Sequence, residues 1–162
     1  MNGNTHAQRL WSPELAGQAM AALRIEVSTT TVVLGALATR DYAPMHHDHA
    51  CATQTSGTRD IFLNTPHQAA FLERYLTDWS GPKGRLGRMR FIMKDPVCPG
   101  DTLRIAGRIE QAERDAKGCG WLQVALEMSV AGRLMTQCHA RLALPLDATD
   151  NPWQRRGDDW QP

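Results

Sequence analysis

Between Met89 and Leu144 the chain alternates apolar and polar residues through four successive segments, and that period of two leaves it few folds to adopt. Met89, Phe91 and Met93 share one face against Arg88, Arg90, Ile92 and Lys94. Leu103, Ile105, Gly107 and Ile109 oppose Arg104, Ala106, Arg108 and Glu110. Leu122, Val124, Leu126, Met128 and Val130 oppose Gln123, Ala125 and Glu127. Leu134, Thr136, Cys138, Ala140, Leu142 and Leu144 oppose Arg133, Met135, Gln137, His139 and Arg141. Successive strand side chains point to opposite faces, so each segment has one greasy side, as an antiparallel sheet packed on one face requires. Pro99-Gly100-Asp101, Lys117-Gly118 and Ala131-Gly132 mark the turns, and an earlier strand is expected near Leu23 to Val27.

One convincing helix precedes these strands. Thr65 reads as its N-cap, with Gln68 three residues on completing a capping box and Pro66 where a missing amide hydrogen costs nothing. Ala69, Leu72, Leu76 and Trp79 follow at helical spacing, and Gly81-Pro82 ends the run. A single helix among several one-sided strands is the element the sheet covers. The fold class is α+β.

At 162 residues the chain forms one domain with a real core. A net charge of +1 gives no push toward nucleic acid or a membrane surface. Cys51, Cys98, Cys119 and Cys138 show neither a disulfide framework nor zinc spacing. No secretion signal or membrane-length apolar run is evident, so a cytoplasmic protein is expected. Residues 1–21 read as an extension, loop-like over Asn2, Gly3, Asn4 and Thr5, in which Ser12-Pro13-Glu14-Leu15 opens one short helix. Residues 22–146 form the body and 147–162 a polar tail that cannot order itself. Trp153 and Trp160 leave two readings of that tail: mobile, or docked on the body or on a partner subunit.

Asp41 and His46 stand five residues apart with Pro44 between them. Neither a helix nor a strand aims side chains at that offset toward one point. Pro44 fixes its own φ and keeps Ala43 extended, so the segment bends and brings a carboxylate and an imidazole over one small molecule. That is the requirement for acid/base work. Taken alone, the pair also fits an ordinary proline turn. His46, His47, Asp48 and His49 lack the spacing that turns several ligands inward, and no metal is expected. His67 is expected to be packed or solvent-facing, and no cysteine has an evident activating partner. Lys83, Arg85, Arg88, Arg90 and Lys94 read either as a solvated strand face or as a phosphate receiver, with Arg88 and Arg90 the better candidates.

The run Asp41-Tyr42-Ala43-Pro44-Met45-His46 resembles the D-x-N-P-x-H signature of MaoC-like, (R)-specific enoyl-CoA hydratases, which are hotdog-fold proteins. Asp60-Ile61-Phe62-Leu63-Asn64 and Tyr75-Leu76-Thr77-Asp78-Trp79-Ser80-Gly81-Pro82 resemble a narrower branch, the small catalytic subunit of heteromeric hydratases acting on CoA esters of degraded steroid side chains. The likeness spans roughly residues 20 to 145, the later strands matching only in pattern. It departs from the family at Ala43, where asparagine is usual, and at Arg40, where glycine is usual.

The resemblance implies a curled antiparallel sheet around a central helix, and hotdogs that pair edge to edge. It implies that Asp41 and His46 hold one water and add it across the double bond of a 2-enoyl-CoA, Asp41 acting as base with His46 as its partner. The family often places a histidine-glycine pair at the helix start; Asn64-Thr65 stand there, and the Thr65 N–H becomes the expected donor to the thioester oxygen. The capping box would give that same N–H to Gln68, so the two readings conflict. No cofactor is implied. The implied partner is a second MaoC-like hotdog subunit that lacks the acid/base pair, or a second copy. Two alternatives follow from the departures: a non-catalytic hotdog subunit shaping another chain's acyl-CoA pocket, and a hotdog acyl-CoA thioesterase.

Overall fold

The computed structural model describes residues 7–162, so the loop-like stretch Asn2 to Thr5 lies outside the described residues. Five strands form one antiparallel sheet: β1 (Ala19–Glu26), β2 (Arg85–Met93), β3 (Thr102–Arg114), β4 (Gly120–Val130) and β5 (Arg133–Leu144). Their order is β1-β3-β4-β5-β2, which leaves β1 and β2 at the edges. Register follows the alternation: Leu103, Ile105 and Ile109 of β3, Leu122, Val124, Leu126 and Met128 of β4, and Cys138, Ala140 and Leu142 of β5 all enter one core. Inside the curl lies helix α2 (Thr65–Ser80), whose Leu72, Tyr75 and Leu76 complete that core. The Tyr75 hydroxyl donates to the Ala21 carbonyl at 2.9 Å, tying helix to edge strand.

A second helix, α1 (Thr29–Ala38), was not expected. Its run Thr29-Thr30-Thr31-Val32-Val33 is β-branched, a composition that favours strands, and no stripe of polar residues divides its faces. What starts it is Ser28, whose hydroxyl accepts from the Thr31 N–H at 3.0 Å while Thr31 answers the Ser28 N–H. Gly35 lets α1 cross α2 closely. A Cβ there would come within 1.8 Å of the His67 ring, which packs on Phe71 at 4.3 Å.

The cap of α2 also differs from expectation. Asn64 is the N-cap, its Oδ1 accepting from the His67 N–H at 3.1 Å. Gln68 takes no N–H at the helix start: it is buried, its Oε1 accepts from the Thr136 hydroxyl at 2.6 Å and its Nε2 donates to the Leu63 carbonyl at 3.4 Å. Ser12 caps a 3-10 turn at Pro13–Leu15. The tail lies along the outer face of the sheet, where Trp160 packs on the buried Trp121 with ring centroids 4.7 Å apart. Arg85 stacks beneath Trp160 and donates to the carbonyls of Pro152 and Arg155.

Candidate active site

Helix α1 ends by delivering Asp41. The Arg40 N–H donates to the Leu37 carbonyl and the Asp41 N–H to the Ala36 carbonyl, the paired closure of a Schellman ending, with Arg40 in the left-handed region at φ 56°. The chain then bends through a 3-10 turn at Pro44–His46. The Asp41 Oδ1 accepts from the Ala43 N–H at 3.2 Å, so the carboxylate organises the bend that follows it. The outcome is convergence: Asp41 Oδ2 lies 3.4 Å from His46 Nε2.

His46 is held from its other side. Nδ1 stands 2.8 Å from the Phe62 carbonyl, and the imidazole meets the Phe62 ring edge-on at 4.9 Å. A carbonyl only accepts, so Nδ1 carries a hydrogen, and in the tautomer where that is the ring's only hydrogen the Nε2 lone pair turns toward Asp41. Two acceptors then face each other. A water resting beside the pair, about 2.8 Å from each, can direct one hydrogen to each and leave its own lone pairs free.

Asn64 reaches this pair from the head of α2. Its Nδ2 donates to Asp41 Oδ2 at 3.0 Å and to Thr39 Oγ1 at 2.7 Å. That amide holds the Asp41 carboxyl below the usual carboxylate range. Burial pushes the other way, and the Ala43 N–H and the His46 charge add to the lowering. Position 43 itself carries no side-chain amide; the one beside Asp41 comes from 23 residues further along.

His46, Asn64, Thr65 and Gln68 border a cavity of about 330 Å³ with otherwise apolar walls from Met45, Phe62, Leu63 and Met93. Lys94 and Asp95, just beyond β2, complete one side. Thr65 is the first helical residue, so its N–H has no partner within α2. Because Gln68 is spent on Thr136, nothing among the described residues competes for that donor. Arg88 and Arg90 are exposed on the outward side of β2 and do not border the cavity; any phosphate they meet lies outside it. Lys94 is the basic side chain that the alternation placed beside them and the fold brings to the cavity.

His47 and His49 are exposed, and among the described residues no group of three or more His, Cys, Asp or Glu could hold a metal ion. Burial raises the Cys119 thiol to about 11 and the Cys138 thiol to about 12, which leaves both inert at neutral pH. Among the described residues no helix is long and apolar enough to cross a membrane. The residues that sequence reasoning missed are Thr39 and the Phe62 carbonyl. Both act through contacts distant in sequence, and no local pattern announces them.

Known proteins share this arrangement of chain. Residues 13–125 match the family model of the MaoC like domain. The 3-oxo-4,17-pregnadiene-20-carboxyl-CoA hydratase beta subunit of Mycobacterium tuberculosis is 32% identical over 95 residues, 59% of this chain and 73% of that one. A chain of the ChsH1-ChsH2 complex from Mycobacterium tuberculosis superposes with a TM-score of 0.72 at 26% identity, over 80% of this chain and 97% of that chain. The unliganded R-hydratase PhaJ1 from Pseudomonas aeruginosa gives a TM-score of 0.66 at 20% identity, over 82% and 83% of the two chains, a likeness of fold alone. With the family model matching most of its length and a hydratase subunit among its relatives, the chain belongs to the MaoC-like domain family, a hydro-lyase built on a hotdog fold.

Proposed function

We propose that this chain is the catalytic subunit of an enoyl-CoA hydratase, adding water reversibly to the double bond of a 2-enoyl-CoA whose acyl group is a bulky steroid side-chain fragment. One observation carries the reading: Asp41 Oδ2 and His46 Nε2 converge at 3.4 Å, and His46 borders a mostly apolar cavity. In this mechanism Asp41 takes a proton from the shared water as its oxygen bonds to the β-carbon. The electron pair of the double bond moves to the α-carbon and the thioester oxygen. The acid/base pair returns one proton to the α-carbon, so it ends as it began. His46, fixed by the Phe62 carbonyl, orients the water. The enolate oxygen accepts from the Thr65 N–H at the positive end of α2.

The acyl assignment rests on the relative that acts, by its name, on a pregnadiene carboxyl-CoA, together with the apolar walls of Met45, Phe62, Leu63 and Met93. The cavity opens close to β2, an unpaired sheet edge, so its remaining wall is assigned to a second hotdog subunit. No cofactor takes part.

The test is hydration of a steroidal enoyl-CoA and of crotonyl-CoA by the chain purified with its natural partner. Asp41→Asn and His46→Gln should each lower kcat by about a hundredfold or more with the assembly intact. Wild-type rates in both variants would reassign the chain as a partner that shapes another subunit's pocket. Release of free CoA would reassign it as a thioesterase. Preference for crotonyl-CoA would remove the steroid assignment alone.

A further inference from the structure

We propose that Asn64 is a positioning residue for hydration, aiming the Asp41 carboxylate, and that it makes no polar contact with the substrate. The inference rests on the reading of Asp41 given above.

Its polar groups are already committed. Oδ1 accepts from the His67 N–H at 3.1 Å, and a carbonyl oxygen must face that donor, which fixes which way round the amide sits. The two hydrogens on Nδ2 therefore point the other way, one to Thr39 Oγ1 at 2.7 Å and one to Asp41 Oδ2 at 3.0 Å. The side chain borders the cavity, yet no N–H remains for a thioester oxygen. At 1% exposure it cannot turn to free one.

Asn64 also joins two elements. Thr39 closes α1, its hydroxyl donating to the Gly35 carbonyl at 2.8 Å, while Asn64 opens α2. One amide thus fixes the end of α1 and the start of α2 against each other with the carboxylate between them. The oxygen it grips, Oδ2, is the one that faces His46, so the bond sets both the direction and the basicity of the oxygen that meets water.

Few other groups compete for control of Asp41. α1 carries no titratable side chain over Thr29–Ala38. The turn contributes His46 and, next in sequence, Arg40 and Tyr42. α2 brings His67, whose buried Nδ1 meets no hydrogen-bond partner among the described residues, and Lys94 and Asp95 also border the cavity.

Serine and aspartate both cap helices about as well as asparagine, but an ionised aspartate has no hydrogen to give, and serine carries donor and acceptor on one short-stemmed oxygen that must stay at the His67 N–H, out of reach of Asp41 Oδ2. Asn64→Ser and Asn64→Asp therefore separate the two roles. With crotonyl-CoA and a steroidal enoyl-CoA as probes, the pH profile of kcat/KM is measured for both variants, the wild type and Asp41→Asn, alongside thermal midpoints. Losing the donor weakens the carboxylate form, so the acid limb moves to higher pH in Asn64→Ser. It moves further in Asn64→Asp, where a second carboxylate faces the first. The rate at neutral pH falls about tenfold in the serine variant, the worth of one hydrogen bond to a charged group. The Asn64→Ser midpoint stays within a few degrees, since serine keeps the cap, while Asn64→Asp falls further because its buried carboxylate faces Asp41.

A merely structural asparagine predicts otherwise: the serine midpoint falls, or all rates scale together, and the limb does not move. That result overturns the proposal while Asp41→Asn remains inactive. Activity in Asp41→Asn overturns the reading of Asp41, and the role of Asn64 with it.

Discussion

Arg40 occupies a conformation that its own side chain disfavours. Its φ of 56° is the left-handed region, which costs a residue with a Cβ about 1–2 kcal/mol and a glycine almost nothing. The reason is its place two residues past Ala38, at the C′ position of a Schellman ending, where glycine is the usual occupant. The family preference for glycine before the aspartate thus has a backbone cause, and the side chain at position 40, exposed and outside the cavity, is not needed for chemistry. Arg40→Gly should raise stability by roughly 0.5–1 kcal/mol, the strain relieved minus the extra freedom glycine gains in the unfolded chain. Denaturant unfolding measures that, and hydration rates should hold within about twofold. Arg40→Val, with a branch at Cβ, should destabilise by at least 1 kcal/mol in the same experiment. A stabilising valine would mean that the turn is not under strain.

Hairpins and helices divide according to how far apart their determining residues lie. Strands β2 to β5 were legible because alternation is written in neighbouring residues, and the body of α2 because its apolar spacing is. Asp41 and His46 were legible for the same reason, five residues apart across a proline. Helix α1 was not, since Thr29 to Val33 has strand-like composition and the helix is fixed by the Ser28 cap and by the close crossing of Gly35 over His67. The cap of α2 was placed one residue late because Thr65 and Gln68 satisfy the local pattern, whereas burial against Thr136 claims Gln68. The β4–β5 hairpin shows what local chemistry decides alone. Its two-residue turn, Ala131-Gly132, has positive φ at both positions, 49° and 81°, as a type I′ turn demands. Alanine is a poor first occupant of that turn and asparagine a good one. Ala131→Asn should therefore add roughly 0.5–1 kcal/mol of stability by thermal or denaturant unfolding, with no change in hydration. A loss of stability would show that the turn is of another type.

Across the whole molecule the sheet is buried along its inner face and at one end of its outer face, though its sequence describes only the inner burial. The inner face wraps α2. At one end of β4 and β5 the outer face is also sealed: Cys119, Trp121 and Ala143 are fully buried in a cluster separate from the main core, with Trp160 of the tail packed on it. This is where the alternation fails, since Gly120, Trp121 and Leu122 are consecutive buried residues. The tail achieves the seal with few apolar groups by using cations as spacers. Arg85 lies 3.6 Å from the Trp160 ring centre, Arg141 lies 4.2 Å from that of Trp121, and Arg155 ties the strap to Asp150 and to the Lys117 and Gly118 carbonyls. Asp115 anchors the far side: burial would raise its carboxyl, but the Cys119, Trp121 and Lys117 N–H groups outweigh that and lower it. Removing residues 152–162 should uncover this cluster and cost ~3 kcal/mol, from the apolar area of one tryptophan and a proline plus the lost cation contacts. For a chain of this size that corresponds to a fall in Tm of roughly 6–12 °C. The clearest readout is Cys119, whose thiol is held at about 11 by burial. In the full chain it should resist alkylation at pH 8 while the half-exposed Cys51 reacts, and in the shortened chain Cys119 should label as well, by mass mapping. Hydration should survive the truncation below the new midpoint, because the strap lies on the opposite face of the sheet from Asp41 and His46. An unchanged midpoint with Cys119 still protected would show that the outer face is sealed without the tail.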